Sequence, residues 1–358
     1  MRQFHKLTVA QLRNETADSI RVSFAVPAEL QADFAFQPGQ HLPVQASIDG
    51  RLARRTYSIC SVPGQWPLEI GIRVQPGGTF SEFAASELKV GDTLEAMPPF
   101  GQFHATIDAS HAKTYLGIAA GSGITPILSI IRAVLEGEPA SGFVLFYGNR
   151  QQRSTMFIDD LYALKNRFPE RLQLHFLFSR EDQEFSVYSG RLDEAKILDL
   201  CKLILKNRKI DEAFVCGPGD MIESARRALQ QYGTDITPVH AERYGAPRQK
   251  PGQSKTTAQV AGSKPISDIT VIMDGHEKSF AMTTDDRNIV DAAAAHGIEL
   301  PYSCKGGVCA TCRTWVRDGS VSMEVNYGLE PWEIDKGYIL ACQSLPTSKK
   351  LVLDYDNI

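Results

Sequence analysis

The sequence predicts a multidomain chain: an antiparallel β-barrel, then an α/β domain with a doubly wound parallel sheet, then a small α+β domain of the β-grasp kind. Three observations carry this expectation. Residues 1 to about 108 hold short apolar or alternating segments broken by Gly and Pro, the pattern of a small barrel. From Lys113 strand-like and helix-like segments alternate, which argues for a parallel sheet covered on both faces. Near the end, three of the seven cysteines fall between Cys304 and Cys312 in a glycine-bearing loop. A chain of 358 residues also exceeds what one hydrophobic core ordinarily organises. The expected domains are 1–110, 111–246 and 267–358, with a linker over 247–266.

In the barrel, the expected strands are Phe4–Ala10, Ile20–Pro27, His41–Ser47, Arg54–Ile59, Leu68–Val74 and Thr93–Met97. One helix, Thr79–Leu88, opens directly after Gly77-Gly78. In the α/β domain, strand Thr114–Ala120 runs into Gly121-Ser122-Gly123-Ile124-Thr125-Pro126 and a helix to about Leu135. Strand Phe143–Tyr147, helix Met156–Asn166, strand Leu172–Phe178 and a helix around Asp193–Leu205 follow. Strand Ala213–Cys216, helix Pro218–Tyr232 and a last strand Thr237–Glu242 complete it. Residues 248–265 are rich in Gly, Ser, Thr, Lys, Gln and Pro without an aromatic residue, so they read as a flexible tether reaching about 20–25 Å. Then come a hairpin, Ile269–Met273 and Lys278–Ala281 about Asp274-Gly275, and an alanine-rich helix Asn288–His296 ended by Gly297. After the cysteine loop, strands Arg313–Arg317 and Lys350–Leu353 close the domain.

Composition excludes several classes. A net charge of −4 and a pI near 6.1 give no support for a nucleic-acid partner. No stretch approaches the roughly 18 apolar residues of a membrane span, and Met1-Arg2-Gln3-Phe4-His5-Lys6 lacks the apolar core of a signal peptide. The cytoplasm is the expected compartment, and a monomer the expected free state. Residues 267–358 carry 14 acidic against 8 basic side chains, net −6, leaving +2 for the rest. Such a surface suits docking on a basic patch of a protein partner, and equally an ordinary solvated face.

The cysteine pattern is the most specific signal. Cys304, Cys309 and Cys312 stand at Cys-x4-Cys-x2-Cys spacing, and 29 residues separate Cys312 from Cys342. This is the plant-type spacing for four thiolates on a 2Fe–2S cluster. A zinc site ordinarily pairs two Cys hairpins. A disulfide framework is disfavoured by an odd, sparse set of cysteines.

Elsewhere the signals are local. Arg55-Thr56-Tyr57-Ser58 offers a permanently charged fork for a pyrophosphate, a ring to stack and a hydroxyl. Gly77-Gly78-Thr79-Phe80-Ser81 opens a helix, where N–H groups make an anion site. Gly121 to Pro126 and Cys216-Gly217-Pro218-Gly219 are glycine turns at the carboxyl edge of one parallel sheet, where ligands of such sheets bind. Taken alone, Arg55–Ser58 is explained about as well by a half-buried strand and Gly121–Pro126 by an ordinary strand–helix turn, whereas the second glycine turn at Cys216 favours a ligand site over a core strand end. Ser179-Arg180 suits a ribose 2′-phosphate, whereas Glu181 suits the free 2′-hydroxyl.

Together these motifs resemble the ferredoxin–NADP reductase superfamily, here with a C-terminal plant-type ferredoxin domain, and the resemblance spans the chain. It implies that Arg55, Tyr57, Ser58, Arg73, Gly78, Thr79 and Ser81 hold a flavin, FAD in preference to FMN. It implies that Gly121, Gly123, Thr125, Cys216, Gly217 and Pro218 meet the nicotinamide and flavin, with Ser179, Arg180 and Tyr188 on the ribose phosphate of NADPH and NADH as the second choice. In His240-Ala241-Glu242-Arg243-Tyr244 it implies that Tyr244 covers the flavin ring and that Glu242 lies near its reactive nitrogen, with Ser58, Thr125 and Cys216 sharing the catalytic work. A nicotinamide gives two electrons at once and a 2Fe–2S cluster takes one, so a flavin between them serves as converter. Among superfamily members, this domain order resembles the reductases of multicomponent oxygenases. The stretches Phe36–Leu42, Ala119–Pro126, Phe146–Arg150, Cys304–Cys312 and Asn326–Glu330 point to a di-iron oxygenase that epoxidises an aromatic ring held as a coenzyme A thioester. Reductases for steroid, alkane or fatty-acyl oxygenases and desaturases, or a redox carrier without turnover, are the other readings.

Overall fold

The computed structural model describes residues 3–206, 208–233, 238–244 and 265–357. The expected linker over 248–265 therefore lies almost wholly outside the described residues. Contacts divide the chain into two compact units, one over 3–244 and one comprising the described residues from 265 onward.

The first unit begins with six strands: β1 (His5–Thr16), β2 (Ser19–Ala25), β3 (His41–Ile48), β4 (Arg51–Ser58), β5 (Leu68–Arg73) and β6 (Thr93–Ala96). They form an antiparallel sheet in the order β4-β3-β6-β1-β2-β5. A bridge between Ile59 and Ile70 joins the two outermost strands, closing the sheet on itself as a barrel requires. Alternation places Ile20, Val22 and Phe24 in a core with Leu7, Val44, Ile72 and Phe80, while Arg21 and Ser23 point the other way. Those two polar residues are nevertheless buried: Arg21 lies against Phe157 and Asp160 of the following domain, and the Ser23 hydroxyl donates to Glu69 of β5 at 2.9 Å. Helix α1 (Thr79–Ser86) sets Phe80 5.7 Å from the Tyr57 ring.

The α/β part has β7 (Thr114–Ala120), β8 (Gly142–Asn149), β9 (Leu172–Phe178), β10 (Glu212–Gly217) and β11 (Val239–Arg243). All pair in parallel in the order β11-β10-β7-β8-β9. Helices α2 (Ile124–Gly137) and α3 (Ile158–Arg167) pack apolar side chains on one face. Helices α4 (Glu194–Leu200) and α5 (Gly219–Tyr232) cover the other, so the sheet is doubly wound. The chain reverses between β7 and β10, and the loops after these strands flank the crevice where such sheets take ligands. Two elements depart from the sequence reading. Helix α3 starts two residues late, since Phe157 adopts a left-handed φ of 58°. The expected helix to Leu205 ends in a π-helical turn from Cys201.

The second unit has β12 (Pro265–Met273), β13 (His276–Thr283), β14 (Arg313–Asp318), β15 (Val321–Met323), β16 (Tyr338–Leu340), β17 (Ser344–Pro346) and β18 (Lys350–Asp354). Its main sheet runs β13-β12-β18-β14-β16, with β12 and β18 parallel and helix α6 (Ile289–Ala295) packed on it. That is a β-grasp. The short helix α7 (Pro331–Asp335) carries a capping box from Glu330 and Glu333.

Candidate functional site

In the first unit, the carboxyl ends of β7 and β10 bring the glycine turns together. Gly121 has φ +55° and Gly123 lies so close to β10 that an added Cβ would run into the Cys216 carbonyl. Only glycine fits at 123. Gly123→Ala is therefore expected to displace the turn, costing at least about tenfold in nucleotide affinity by equilibrium dialysis; unchanged affinity would show that the turn does not hold the nucleotide. The Tyr147 hydroxyl donates to the Gly121 carbonyl at 2.9 Å, and Thr125 Oγ1 donates to the Ser122 carbonyl at 2.8 Å. Thr125 is buried and faces β5, where an added Cβ on Gly71 would come within 3.2 Å of its hydroxyl. Gly217 packs against the end of the Met221 side chain and Ala120, and Pro218 caps α5.

Four residues from three separated stretches meet beside these turns. Cys216 and Glu242 are register partners on β10 and β11, with Sγ 4.0 Å from Oε2. Glu242 Oε2 also lies 3.4 Å from Ser58 Oγ, whose residue ends β4, and the Tyr244 hydroxyl is hydrogen-bonded to Ser58 Oγ. The Tyr244 N–H is fixed to the Gly217 carbonyl at 3.1 Å. Burial, reinforced by the Glu242 charge, pushes the Cys216 thiol well up. Burial, then Cys216 and Glu242, raises the Tyr244 phenol. Both stay neutral at physiological pH, so Cys216 is not a thiolate nucleophile.

The other barrel residues are less closely gathered. Tyr57 backs Phe80 at the start of α1, which brings the Arg55-x-Tyr57 face towards the Gly78–Ser81 turn. Arg55 is exposed and Nη1 donates to the Arg54 carbonyl at 2.7 Å. Arg54 is buried on Gln45. At the turn, Ser81 Oγ accepts from Gln75 N–H and donates to the Gly78 carbonyl, each at 3.1 Å. Thr79 opens the helix after Gly78, the N-cap without a side-chain bond. The Gly77 N–H, however, donates to Glu82 Oε1 at 2.7 Å, so an acid engages one donor that the sequence reading assigned to an anion. Arg73 Nη2 pairs with Asp18 at 2.7 Å and its guanidinium lies over Gly121, linking barrel to turn.

On the sheet's far side, Arg180 N–H donates to the Arg150 carbonyl at 2.9 Å and Ser179 N–H to the Asn149 carbonyl at 3.0 Å. Two exposed arginines thus sit together after β8 and β9. Glu181 Oε2 accepts the Gln152 N–H at 2.9 Å. The Tyr188 ring stacks on His175 at 6.0 Å, with its hydroxyl 3.1 Å from Nδ1. Tyr188 is thereby tied to β9 rather than presented freely to a phosphate.

In the second unit, the thiols stand as two pairs. Cys304 Sγ accepts from the N–H groups of Gly306 at 3.3 Å and Cys309 at 3.4 Å, and Cys309 Sγ accepts from Cys304 N–H at 3.5 Å. Cys312 and Cys342 act on each other, Cys342 holding the Cys312 thiol well up and Cys312 drawing the Cys342 thiol down, and Gln343 Nε2 donates to Cys342 Sγ at 3.7 Å. Hydrogen bonding with Cys309, aided by the N–H groups of Gly306, Cys309 and Val308, outweighs burial and draws Cys304 down to about 5. Among the described residues no three His, Cys, Asp or Glu side chains gather about a single ion position. Two pairs of thiols among backbone donors fit a dinuclear cluster. Gly307 (φ +72°) is packed so that an added Cβ would come within 2.9 Å of the Val325 carbonyl. This explains why the loop needs glycine there. Sequence reasoning missed His41 because tertiary packing brings its partner Glu242 to it; it missed Thr311 and Gln343, whose partners Cys309 and Cys342 are near neighbours in the chain, because the motif was read from cysteine spacing alone.

Known proteins share this three-part organisation. The oxidoreductase FAD-binding domain family matches residues 6–105, the oxidoreductase NAD-binding domain family 118–227, and the 2Fe–2S iron–sulfur cluster binding domain family 271–347. A component of the 1,2-phenylacetyl-CoA epoxidase of Escherichia coli is 44% identical, over 99% of both chains. The ferredoxin reductase component of 3-ketosteroid-9-alpha-monooxygenase from Rhodococcus rhodochrous is 32% identical over 98% of this chain and 96% of that one. Among solved structures, phthalate dioxygenase reductase shares the fold with a TM-score of 0.59 at 24% identity, over 98% of both chains. A self-sufficient cytochrome P450 monooxygenase matches with a TM-score of 0.67 at 20% identity over 98% of this chain, which spans 41% of that one. Among the described residues no helix is long and apolar enough to cross a membrane. The chain belongs to the family of oxygenase reductases that join FAD-binding, NAD-binding and 2Fe–2S domains in one polypeptide, and it is an NAD(P)H-dependent oxidoreductase.

Proposed function

We propose that this chain takes electrons from NADPH and delivers them, through FAD and its 2Fe–2S cluster, to the di-iron oxygenase component of a phenylacetyl-CoA epoxidase. The single observation that carries this reading is the 44% identity to the Escherichia coli epoxidase component over essentially the full length of both chains. When bound, the flavin accepts a hydride and hands on single electrons. The protein residues then have separate tasks. Arg55, Tyr57 and the Gly78–Ser81 turn hold the flavin. The turns at Gly121–Gly123 and Cys216–Pro218 hold the nicotinamide, with Thr125 and Ser58 beside the reacting atoms. Cys216, kept neutral, fills the crevice without competing as a nucleophile. Cys304, Cys309, Cys312 and Cys342 hold the cluster in a cytoplasmic protein that is monomeric until it meets its oxygenase.

For NADPH, the supporting features are the exposed Arg150 and Arg180 together after adjacent strands and the engagement of Glu181 with Gln152 N–H. A carboxylate so engaged is a poorer partner for a ribose 2′-hydroxyl, and paired arginines suit a 2′-phosphate. Arg180→Ala is expected to raise KM for NADPH about tenfold and to leave that for NADH within about twofold, since losing one charge-assisted contact costs about 1.5–3 kcal/mol. Equal losses with both nucleotides, or faster reduction of the wild type by NADH, would overturn this choice. The function itself is tested by reconstitution with the oxygenase component of a phenylacetyl-CoA epoxidase. NADPH-driven oxygen uptake that requires phenylacetyl-CoA is the expected result. No uptake, with the flavin still bleached by NADPH, would assign the reductase to another oxygenase.

A further inference from the structure

Tyr355 follows directly on β18, whose inward residues Leu351 and Leu353 are fully buried. It continues that inward face and is 5% exposed. Its N–H donates to the Ile272 carbonyl of β12 at 2.9 Å, and the carbonyl of Asp354 just before it accepts Thr314 Oγ1 of β14 at 3.0 Å. The residue is thus fixed between two strands, and β14 itself begins directly after Cys312. Its side chain shares one apolar core with those of Cys312 and Cys342. Yet the hydroxyl has no hydrogen-bond partner. A buried hydroxyl left so is costly, and phenylalanine would fill the same space without that cost. Burial, then the charges of Cys312 and Cys342, holds the phenol well above its ordinary range, so the hydroxyl keeps a proton to donate.

We propose that the Tyr355 hydroxyl is a hydrogen-bond donor to the sulfur ligands on the Cys312–Cys342 side of the cluster, and that it sets the cluster's reduction potential. The inference rests on the four-cysteine cluster site described above. The Cys304–Cys309 pair already has a hydroxyl at hand, with Thr311 Oγ1 2.9 Å from Cys309 Sγ; Tyr355 is the counterpart for the other pair. Hydrogen bonds to sulfur are among the levers that set an iron–sulfur potential. Reduction adds one negative charge to the sulfur-bound centre, so a donor stabilises the reduced form more than the oxidised one and raises the potential. The apolar surroundings strengthen that interaction. No atom is transferred: one electron enters, and the hydroxyl keeps its proton.

The test is an anaerobic redox titration, with mediators, of flavin- and cluster-loaded protein carrying Tyr355→Phe. At a fixed solution potential the reduced-to-oxidised ratio of the cluster should fall at least about threefold, a midpoint about 30 mV lower at 59 mV per tenfold for one electron. The flavin potentials, which belong to the other unit, should not move. Fluorotyrosine at position 355 keeps the ring and carries a more acidic hydroxyl, so it should shift the cluster the opposite way. It also provides the test if Tyr355→Phe loads iron poorly. A merely structural tyrosine would not give opposite shifts. In pulsed electron paramagnetic resonance of the reduced cluster, reconstituted in H2O or D2O, wild type should show an exchangeable proton coupling that Tyr355→Phe lacks. A cluster potential that stays put in both variants, or identical exchangeable couplings in wild type and Tyr355→Phe, would overturn the assignment of Tyr355. Absence of a 2Fe–2S spectrum from the wild type would instead overturn the cluster reading on which it rests.

Discussion

Cys309→Ser is expected to strip the chain of iron while flavin reduction continues. Cys309 is 7% exposed, and its sulfur takes the Cys304 N–H at 3.5 Å and lies 2.9 Å from Thr311 Oγ1. Serine loses the soft thiolate that iron–sulfur chemistry requires, and its shorter side chain retracts the donor from its pair with Cys304. Losing a residue that merely supports a metal ligand costs about 10–100-fold in affinity, so losing a ligand itself should exceed that. Iron content and the cluster's visible absorbance should fall to background, and delivery to an oxygenase should drop at least about 100-fold. Bleaching of the flavin by NADPH should stay within about twofold of wild type, because Ser58, Thr125, Cys216 and Glu242 all belong to the other compact unit. Iron assay and anaerobic stopped-flow on the same preparation check both halves. If flavin reduction disappears with the iron, the separation of the two chemistries between units is wrong.

Much of this architecture was legible because it is written locally. Barrel strands and the β7–β11 alternation show in apolar periodicity. The cysteine loop shows in spacing alone, since four thiolates on one cluster constrain how far apart ligands fall along the chain. What escaped is non-local or short. Strands β15, β16 and β17 have three residues each, too few to display a period of two. Helix α7 has five, less than two turns. Arg54 and Arg55 look interchangeable in sequence, yet one is buried on Gln45 and the other is exposed, because strand register decides which faces the barrel wall. The His41–Glu242–Ser58 contacts depend on cross-strand pairing and on packing between segments 184 residues apart. No local pattern encodes such a meeting.

The same holds for the contact expected to matter most for stability. Asp160 of α3 binds Arg21 of the barrel and Arg132 of α2, each by a short charged hydrogen bond. Arg132 also donates to the Cys60 carbonyl at 2.7 Å, and the Arg21 guanidinium lies 4.8 Å over the Phe157 ring. The arginine side chains are only 6% and 15% exposed. In Asp160→Ala, Arg21 keeps Glu15 at 2.6 Å and Glu69 at 3.6 Å, but Arg132 is left with a neutral carbonyl. Removing one partner of a buried ion pair typically costs about 3–5 kcal/mol, and the surviving glutamates place this case near the lower end, about 3 kcal/mol. For a unit of this size that lowers Tm by about 6–12 °C. The clamp joins the barrel to the nucleotide domain, and Ser58 and Glu242 approach each other across that same junction. Flavin reduction by NADPH should therefore slow in Asp160→Ala even at temperatures where the unit remains folded. Calorimetry and stopped-flow on flavin-loaded protein measure the two effects. In a cycle with Arg132→Met, the double variant should recover part of the lost stability, because the stranded cation is then gone. A Tm loss under about 2 °C, or strict additivity in the cycle, would show that the junction is held by its apolar packing and not by these charges.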